Sequence, residues 1–246
     1  MLNNGTNKRG LIVYGGVSST DYGIVVSEAP SFDKSVRKRT IYNVPGRNGS
    51  VLFEEDAFEE KQRNYNVFLT DTHNSRLDEV ITNFTNWIYS QKGYQRLEDS
   101  FEPDVYRLAY FNGGNDISNE MMQAGKTTLS FMCRPERFLR SGDREIEVTN
   151  GDSLINPTNF SAKPLIYIEV ASEETVTVSI GGKSIVANVD DYIYIDVERM
   201  NAYRLPTENM NSEVSGDFPE IHPGSNGIGI TGTVTKVTII PRYYTI

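Results

Sequence analysis

Cysteine is almost missing from this chain: Cys133 is the only one in 246 residues. An intrachain disulfide is therefore impossible, and so is a four-cysteine zinc site. Histidine is nearly as scarce, with His73 and His222 alone, which argues against a histidine-rich metal centre. No stretch approaches the roughly 18 consecutive apolar residues that a membrane helix needs. The polar start, Met1 to Gly10, lacks the apolar core of a secretory signal, so synthesis in the cytoplasm is expected. Catalytic signatures are absent as well. There is no G-x-S-x-G elbow, no Walker glycine loop, no H-E-x-x-H and no paired C-x-x-C, so an enzyme such as a wall hydrolase is disfavoured and no cofactor or metal is expected.

What is present fits a soluble globular protein: 38% hydrophobic and 23% charged residues, long enough for one large or two medium β domains. The net charge of −9 is unevenly spread. Residues 1–140 hold 17 Lys+Arg against 18 Asp+Glu, whereas residues 141–246 hold 7 against 15. So acidic a second half repels phosphate, which disfavours general nucleic-acid binding and points to two units with different tasks.

In the first unit, residues 1–140, short β-rich runs are bounded by turn residues: Leu11 to Tyr14, Tyr22 to Val26, and Thr40 to Val44. Pro45, Gly46, Arg47, Asn48 and Gly49 read as a hairpin connection to Val51-Leu52-Phe53. Tyr65 to Leu69 suits a strand buried largely on both faces. One helix stands out, because Leu77, Val80, Ile81, Phe84, Trp87 and Ile88 keep helical spacing. Asn74 or Ser75 is placed to cap it, Lys92-Gly93 to stop it, and Trp87 to anchor a core. Val105 to Phe111 and Thr127 to Cys133 follow as strands. Gly113-Gly114 marks a turn, and Arg134-Pro135 ends the pattern.

The second unit, residues 141–246, offers many short strands and no helical period, as in a β-sandwich. Thr175 to Ile180 alternates, and Gly181-Gly182 forms a tight hairpin. Asn209 to Asn226 reads as a long surface loop.

Three carboxylate clusters invite a chemical reading. Glu54, Glu55, Asp56, Glu59 and Glu60 read as a solvated run in a loop. Glu98-Asp99 with Glu102 and Asp104 could hydrolyse glycosides only at a fixed separation that sequence does not reveal. Asp190-Asp191 lies between strands, in a turn. None has the spacing of a calcium loop. The basic Lys34, Arg37, Lys38 and Arg39 precede a strand, with Arg37 and Arg39 on one face by alternation. They suit a charged edge strand or a subunit interface; DNA contact is weakest, because interleaved aromatics are sparse. Among 14 tyrosines, Tyr192, Tyr194 and Tyr203 fall in or near strands of the second unit, where aromatics either pack or form a face for sugar rings.

The order of motifs is more specific than any one of them. Asp21-Tyr22-Gly23-Ile24-Val25-Val26, Pro30, a charged strand, and Val44-Pro45-Gly46-Arg47-Asn48-Gly49 come first. After the helix come Tyr94, Leu97-Glu98-Asp99-Ser100, Pro103-Asp104-Val105-Tyr106-Arg107 and Phe131-Met132-Cys133-Arg134-Pro135. Asn156-Pro157-Thr158 and Pro164-Leu165-Ile166-Tyr167-Ile168 open the second half. This order resembles the distal tail protein (Dit) family of siphophages that infect Gram-positive bacteria, over nearly the whole chain. Asn48 stands where the family often has Asp, and residues 209–226 carry no family signature.

The resemblance implies a mainly β protein of two β-sandwich-like domains. The first (residues 1–140), with its one helix and a protruding hairpin, forms the belt of a hexameric ring. The second is galectin-like or carbohydrate-binding-module-like. The ring sits at the virion tail tip, the baseplate. It joins the tail tube protein to the tail-associated fibre or lysin protein, serves receptor-binding proteins, and lets DNA pass without specific binding. Arg37, Arg39, Pro45 to Gly49, Glu54 and Glu55 are the candidate subunit-interface residues. The opposite charges of Arg37 and Arg39 and of the Glu54–Glu60 run offer complementary partners between neighbours. The alternative is a module that binds host cell-wall glycan through Tyr192, Tyr194 and Tyr203.

Overall fold

The structure is a computed structural model that describes residues 10–32, 34–70, 77–114, 118–121 and 124–246. The chain is mainly β and divides into two compact units: the described residues up to Arg137 together with Ile246, and Phe138–Thr245.

The first unit is built on strands β1 (Ile12–Tyr14), β2 (Val17–Ser18), β3 (Ile24–Val26), β4 (Arg37–Asn43), β5 (Ser50–Phe58) and β6 (Lys61–Thr70). Helix α1 (Leu77–Ser90) follows, then β7 (Gln95–Asp99), β8 (Val105–Gly114), β9 (Ser118–Met121) and β10 (Ala124–Leu139). The main sheet runs in the order β2-β1-β7-β8-β10-β6-β3, with β9 also paired to β10. The helical spacing of Val80, Phe84, Trp87 and Ile88 puts all four on one stripe, which is buried against Tyr14, Ile24, Val67, Leu97 and Phe131. Trp87 is a core anchor, as its spacing predicts. Its indole stacks on Tyr22 at 4.9 Å and meets Tyr14 and Phe84 edge-on. The expected cap at Asn74 or Ser75 lies outside the described residues. Burial raises the Cys133 thiol pKa to about 11, so this lone cysteine is packing material.

Four local expectations are corrected here. Strand β6 is buried on one face only. Arg63, Tyr65, Val67 and Leu69 point inward, while Phe68 is 37% exposed beneath Lys126. Gly113 and Gly114 close β8 instead of forming a turn outside it. Pro135 does not end its strand, since β10 continues to Leu139. The ladder between β10 and β6 finishes at Cys133 opposite Lys61, so Pro135 owes no donor to that neighbour. Glu54, Glu55 and Asp56 belong to β5, not to a loop.

The second unit is a sandwich of two five-stranded antiparallel sheets. One has the order β11 (Ile146–Glu147), β20 (Lys236–Ile240), β13 (Leu165–Glu169), β16 (Tyr192–Asp196), β17 (Asn201–Tyr203). The other has β12 (Ser153–Asn156), β19 (Gly224–Thr231), β14 (Glu174–Ile180), β15 (Lys183–Val189), β18 (Val214–Gly216). A short β21 (Tyr244–Thr245) ends the element order. Period-two alternation sends Ile166, Ile168, Ile193, Ile195, Val237 and Ile239 from the first sheet, and Val176, Val178, Ile185 and Ile230 from the second, into one core. Gly181 and Gly182, at φ 59° and 86°, make the tight turn that the sequence predicts, with Ile180 opposite Lys183. Asp190 and Asp191 occupy the next turn, where Asp191 takes φ 77°.

The expectation of a long surface loop over residues 209–226 is overturned. Val214–Gly216 adds an edge strand to β15, and β19 already begins at Gly224. Ile221 is fully buried and exchanges two backbone hydrogen bonds of 2.9 Å with Ala162. Met210, Val214 and Phe218 pack against the same core as Ile221, so scattered apolar residues pin the segment once its backbone finds a ladder. The Asn156-Pro157-Thr158 motif is part of the same arrangement. The buried Asn156 amide donates to the carbonyls of Phe160 and Ile221 and accepts from the Thr158 backbone N–H.

Candidate functional site

Three assemblies of side chains stand apart from the ordinary core: a hairpin, a buried ion network and a tyrosine face.

The hairpin is β4–β5. Its strands pair antiparallel, with Ile41 opposite Leu52, Tyr42 opposite Val51 and Thr40 opposite Phe53. Pro45 to Gly49 form the exposed turn, where the Arg47 N–H donates to the Val44 carbonyl. The candidate interface residues Arg37, Arg39, Pro45, Gly46, Arg47, Asn48, Gly49, Glu54 and Glu55 thus all lie on this one element. The basic and acidic runs are cross-strand neighbours within the chain. Arg39 sits opposite Glu54, and Arg37 lies 3.5 Å from Asp56 and over the Phe58 ring. A register shift between Arg37 and Arg39 interrupts the simple alternation that puts them on one face. What sequence reasoning missed is apolar: Ile41, Tyr42, Leu52 and Phe53 are 55%, 57%, 46% and 58% exposed. The β propensity of Thr40 to Val44 signals a strand, but no local pattern signals that its apolar residues stay about half exposed among the described residues.

The buried network binds the carboxylates that sequence left open for catalysis. Arg63 on β6 donates to Asp99 and Glu102, each at 2.9 Å, and to the Tyr65 hydroxyl at 2.8 Å. Tyr65 in turn donates to Asp99 at 2.8 Å. Arg107 on β8 and Arg137 on β10 also bond Glu102. Asp99 closes its own turn by accepting from the backbone N–H groups of Phe101 and Glu102. Burial, followed by the negative Asp99, pushes the Tyr65 hydroxyl pKa well up, so it stays a neutral donor. This arrangement fastens the segment after β7 to β6, β8 and β10.

The tyrosine face lies on the outside of the second unit's first sheet. Alternation with Ile166, Ile168, Ile193 and Ile195 turns Tyr167, Tyr192 and Tyr194 outward. Register then aligns Thr238, Tyr167, Tyr194 and Tyr203 across four adjacent strands. Ring centroids are 4.9 Å apart for Tyr167 and Tyr194, and 5.4 Å for the stacked Tyr194 and Tyr203. Tyr192 stands in the next row, opposite Glu169, with the Arg204 guanidinium over its ring. The three tyrosines singled out by sequence are therefore brought together. A fourth, Tyr167, joins them and could not be found without the strand register. Burial, then the hydrogen bond to Glu169, pushes the Tyr167 hydroxyl pKa up to about 12. A shallow hollow of about 230 Å³ adjoins this row, lined by Tyr167, Tyr194, Glu169, Lys236 and Thr238.

Comparison with solved structures places this architecture. The Dit (gp 19.1) protein of SPP1, described as a paradigm of the hub adsorption apparatus in Gram-positive-infecting phages, superposes with a TM-score of 0.70 at 15% identity. The match covers 96% of this chain and 99% of that one. The chain has the fold of a phage distal tail protein. Chains of the phage p2 baseplate in its activated conformation also match. With Sr the TM-score is 0.54 at 12% identity, covering 93% of this chain and 95% of that one. With Ca it is 0.52 at 13% identity, covering 94% and 96%. No family model matches the sequence and no curated protein matches it. The Dit likeness therefore spans both units, including the second half, where sequence motifs are weakest.

Proposed function

We propose that this chain is a structural subunit of a phage tail tip, a distal tail hub whose first unit closes into a ring of six. The observation that carries the reading is the β4–β5 hairpin. A lone two-stranded hairpin is at best marginally stable in water, and this one leaves Ile41, Tyr42, Leu52 and Phe53 uncovered by the rest of the described chain. A heterologous contact with a neighbour covers such a surface and, repeated by rotation, closes a ring. The charges of Arg37, Arg39, Glu54 and Glu55 form the polar rim of that contact.

In this reading the ring joins the tail tube protein to the tail-associated fibre or lysin protein, carries receptor-binding proteins and lets DNA through. The arginine-held Asp99 and Glu102 serve as structural ties, not as a hydrolytic pair. Negative-stain images of the purified protein, alone and with its tail-tube partner, should show six-fold rings. Single particles in both preparations contradict the reading.

The tyrosine face supports a second role, contact with host cell-wall glycan. Aligned aromatic rings beside Glu169, Lys236 and Thr238 offer both faces for sugar C–H groups and hydrogen-bonding partners. Calorimetric titration with wall saccharide should give saturable heat that Tyr167→Ala and Tyr194→Ala abolish. Heat that survives both substitutions, or none in the parent protein, excludes it.

A further inference from the structure

The hollow beside the tyrosine row is acidic, and its polar groups are not all used within the chain. Leu165 and Ile240, opposite each other on β13 and β20, give it an apolar side, and Tyr167 and Tyr194 an aromatic one. Its charged lining is Glu145, Glu169 and Lys236. Lys236 does not cancel both carboxylates, because its ammonium lies 3.9 Å from a third, Glu147. Glu147 stands opposite Thr238, in the row that runs on to Tyr167 and Tyr194. Three carboxylates thus share one ammonium. Arg204, over Tyr192, is engaged elsewhere: it donates to the Tyr192 and Asp190 carbonyls and lies 3.9 Å from Glu208. Glu145 is exposed and forms no ion pair among the described residues. Glu169 accepts from Tyr167 through one oxygen only, and its other oxygen has no hydrogen-bond partner among the described residues. Thr238 is the second sign of a ligand. It is 5% exposed, and its hydroxyl has no hydrogen-bond partner among the described residues, yet it is not sealed from solvent. A buried hydroxyl left without a partner is costly, and a ligand in the hollow relieves that cost.

Building on the glycan role of the tyrosine face, we propose that this hollow takes a saccharide with a free ammonium group, a hexosamine unit in preference to its neutral N-acetylated form. An ammonium brings three donors, and Glu145 with the unused Glu169 oxygen supplies charged acceptors for them. The Thr238 hydroxyl pairs with a ring hydroxyl or with the same ammonium. Tyr167 and Tyr194 add apolar contact for sugar C–H groups and attraction for a nearby cation. The surroundings reinforce the sign. After burial, the groups that raise the Tyr167 pKa are Glu169, Tyr194 and Asp191, which are neutral or negative, as in a negative local field. An acetyl group on the sugar nitrogen removes both the charge and two of its donors, so the carboxylates gain nothing from the neutral form.

The test is calorimetric titration of the full chain with glucosamine tetramer and, separately, with its N-acetylated counterpart, at constant ionic strength and at a pH where the sugar amine is charged. One saturable site is expected, about tenfold tighter for the charged tetramer, the scale of two partly exposed ion pairs. Glu145→Gln should weaken the charged tetramer by about threefold to fivefold and leave the acetylated one unchanged. Thr238→Val, which keeps the branched shape and deletes the hydroxyl, should weaken both by roughly fivefold. Glu145 is exposed, so Glu145→Gln keeps the test valid if Thr238→Val disturbs the sheet. Equal binding of the two tetramers, or tighter binding of the acetylated one, overturns the charge preference while the glycan role stands. No binding of either overturns both. Binding of the charged tetramer that neither substitution changes is general attraction of a polycation to an acidic chain, and it overturns the assignment to this hollow.

Discussion

The β4–β5 and β14–β15 hairpins are made by similar local rules and meet opposite environments. Both are antiparallel ribbons around glycine-containing turns, and both carry apolar β-formers. In β14–β15 the apolar residues Val176, Val178, Ile185 and Ala187 alternate into the sandwich core. In β4–β5 the residues Ile41, Tyr42, Leu52 and Phe53 stay in solvent. Strand formation is thus a local property, whereas burial depends on what the rest of the molecule supplies. For the first hairpin no other described residues close over these side chains; in the proposed ring a neighbouring subunit does.

That contrast predicts unequal responses to the same kind of substitution. Ile185→Ala should cost about 2–5 kcal/mol, because the cavity it leaves lies inside a closed core. Urea denaturation of the dilute protein measures this directly. Glycine replacements come next. Gly181→Ala must place its Cβ 2.7 Å from the Glu220 carbonyl oxygen at φ 59°, for a combined cost of about 2–4 kcal/mol. Gly46→Ala meets nothing within 4 Å and bears only the left-handed strain, about 1–2 kcal/mol.

A pH-dependent effect should belong to the second unit. Burial raises the Asp196 pKa, but the hydrogen bonds and charge of Arg242, which donates to it at 2.8 and 3.2 Å, win and hold it below the ordinary value. Its stabilising contribution is therefore complete above the unfolded carboxylate pKa of about 3.9 and is lost as pH falls through the lower folded value. Acid titration of Asp196→Asn should lack that part of the transition; an unchanged acid limb sinks the assignment. The smallest effect should be Leu52→Ala, within about 0.5 kcal/mol for the dissociated chain, because Leu52 is 46% exposed on a hairpin outside the core of the described residues. A loss as large as that of Ile185→Ala would mean that the hairpin is buried within its own subunit.

Much of this could be read from single segments. The helix stripe, the Gly181-Gly182 turn and the alternation of Thr175 to Ile180 are local patterns, and the structure retains all three. The sites were only half legible, because each depends on partners distant in sequence. Asp99 and Glu102 looked like a free acidic cluster until Arg63, 36 and 39 residues away, was placed against them. Tyr192 and Tyr194 could be put on one face from alternation alone, but Tyr167 required the register between β13 and β16. Arg37, Arg39 and Glu54 were legible as opposite charges near a hairpin; that Arg39 faces Glu54 across it, while Arg37 lies opposite Phe58, was set by strand pairing.

The exposed hairpin is the centre of the account, and one comparison tests it most directly. Sedimentation velocity of the full chain should be run beside the double variant Ile41→Asp, Phe53→Asp at equal concentration. Both side chains are more than half exposed, so the variant should keep the parent's melting profile as a dissociated chain. The parent should sediment as a closed six-membered assembly and the variant as a monomer. A variant that still sediments as the parent assembly would contradict the claim that this apolar surface holds the ring together.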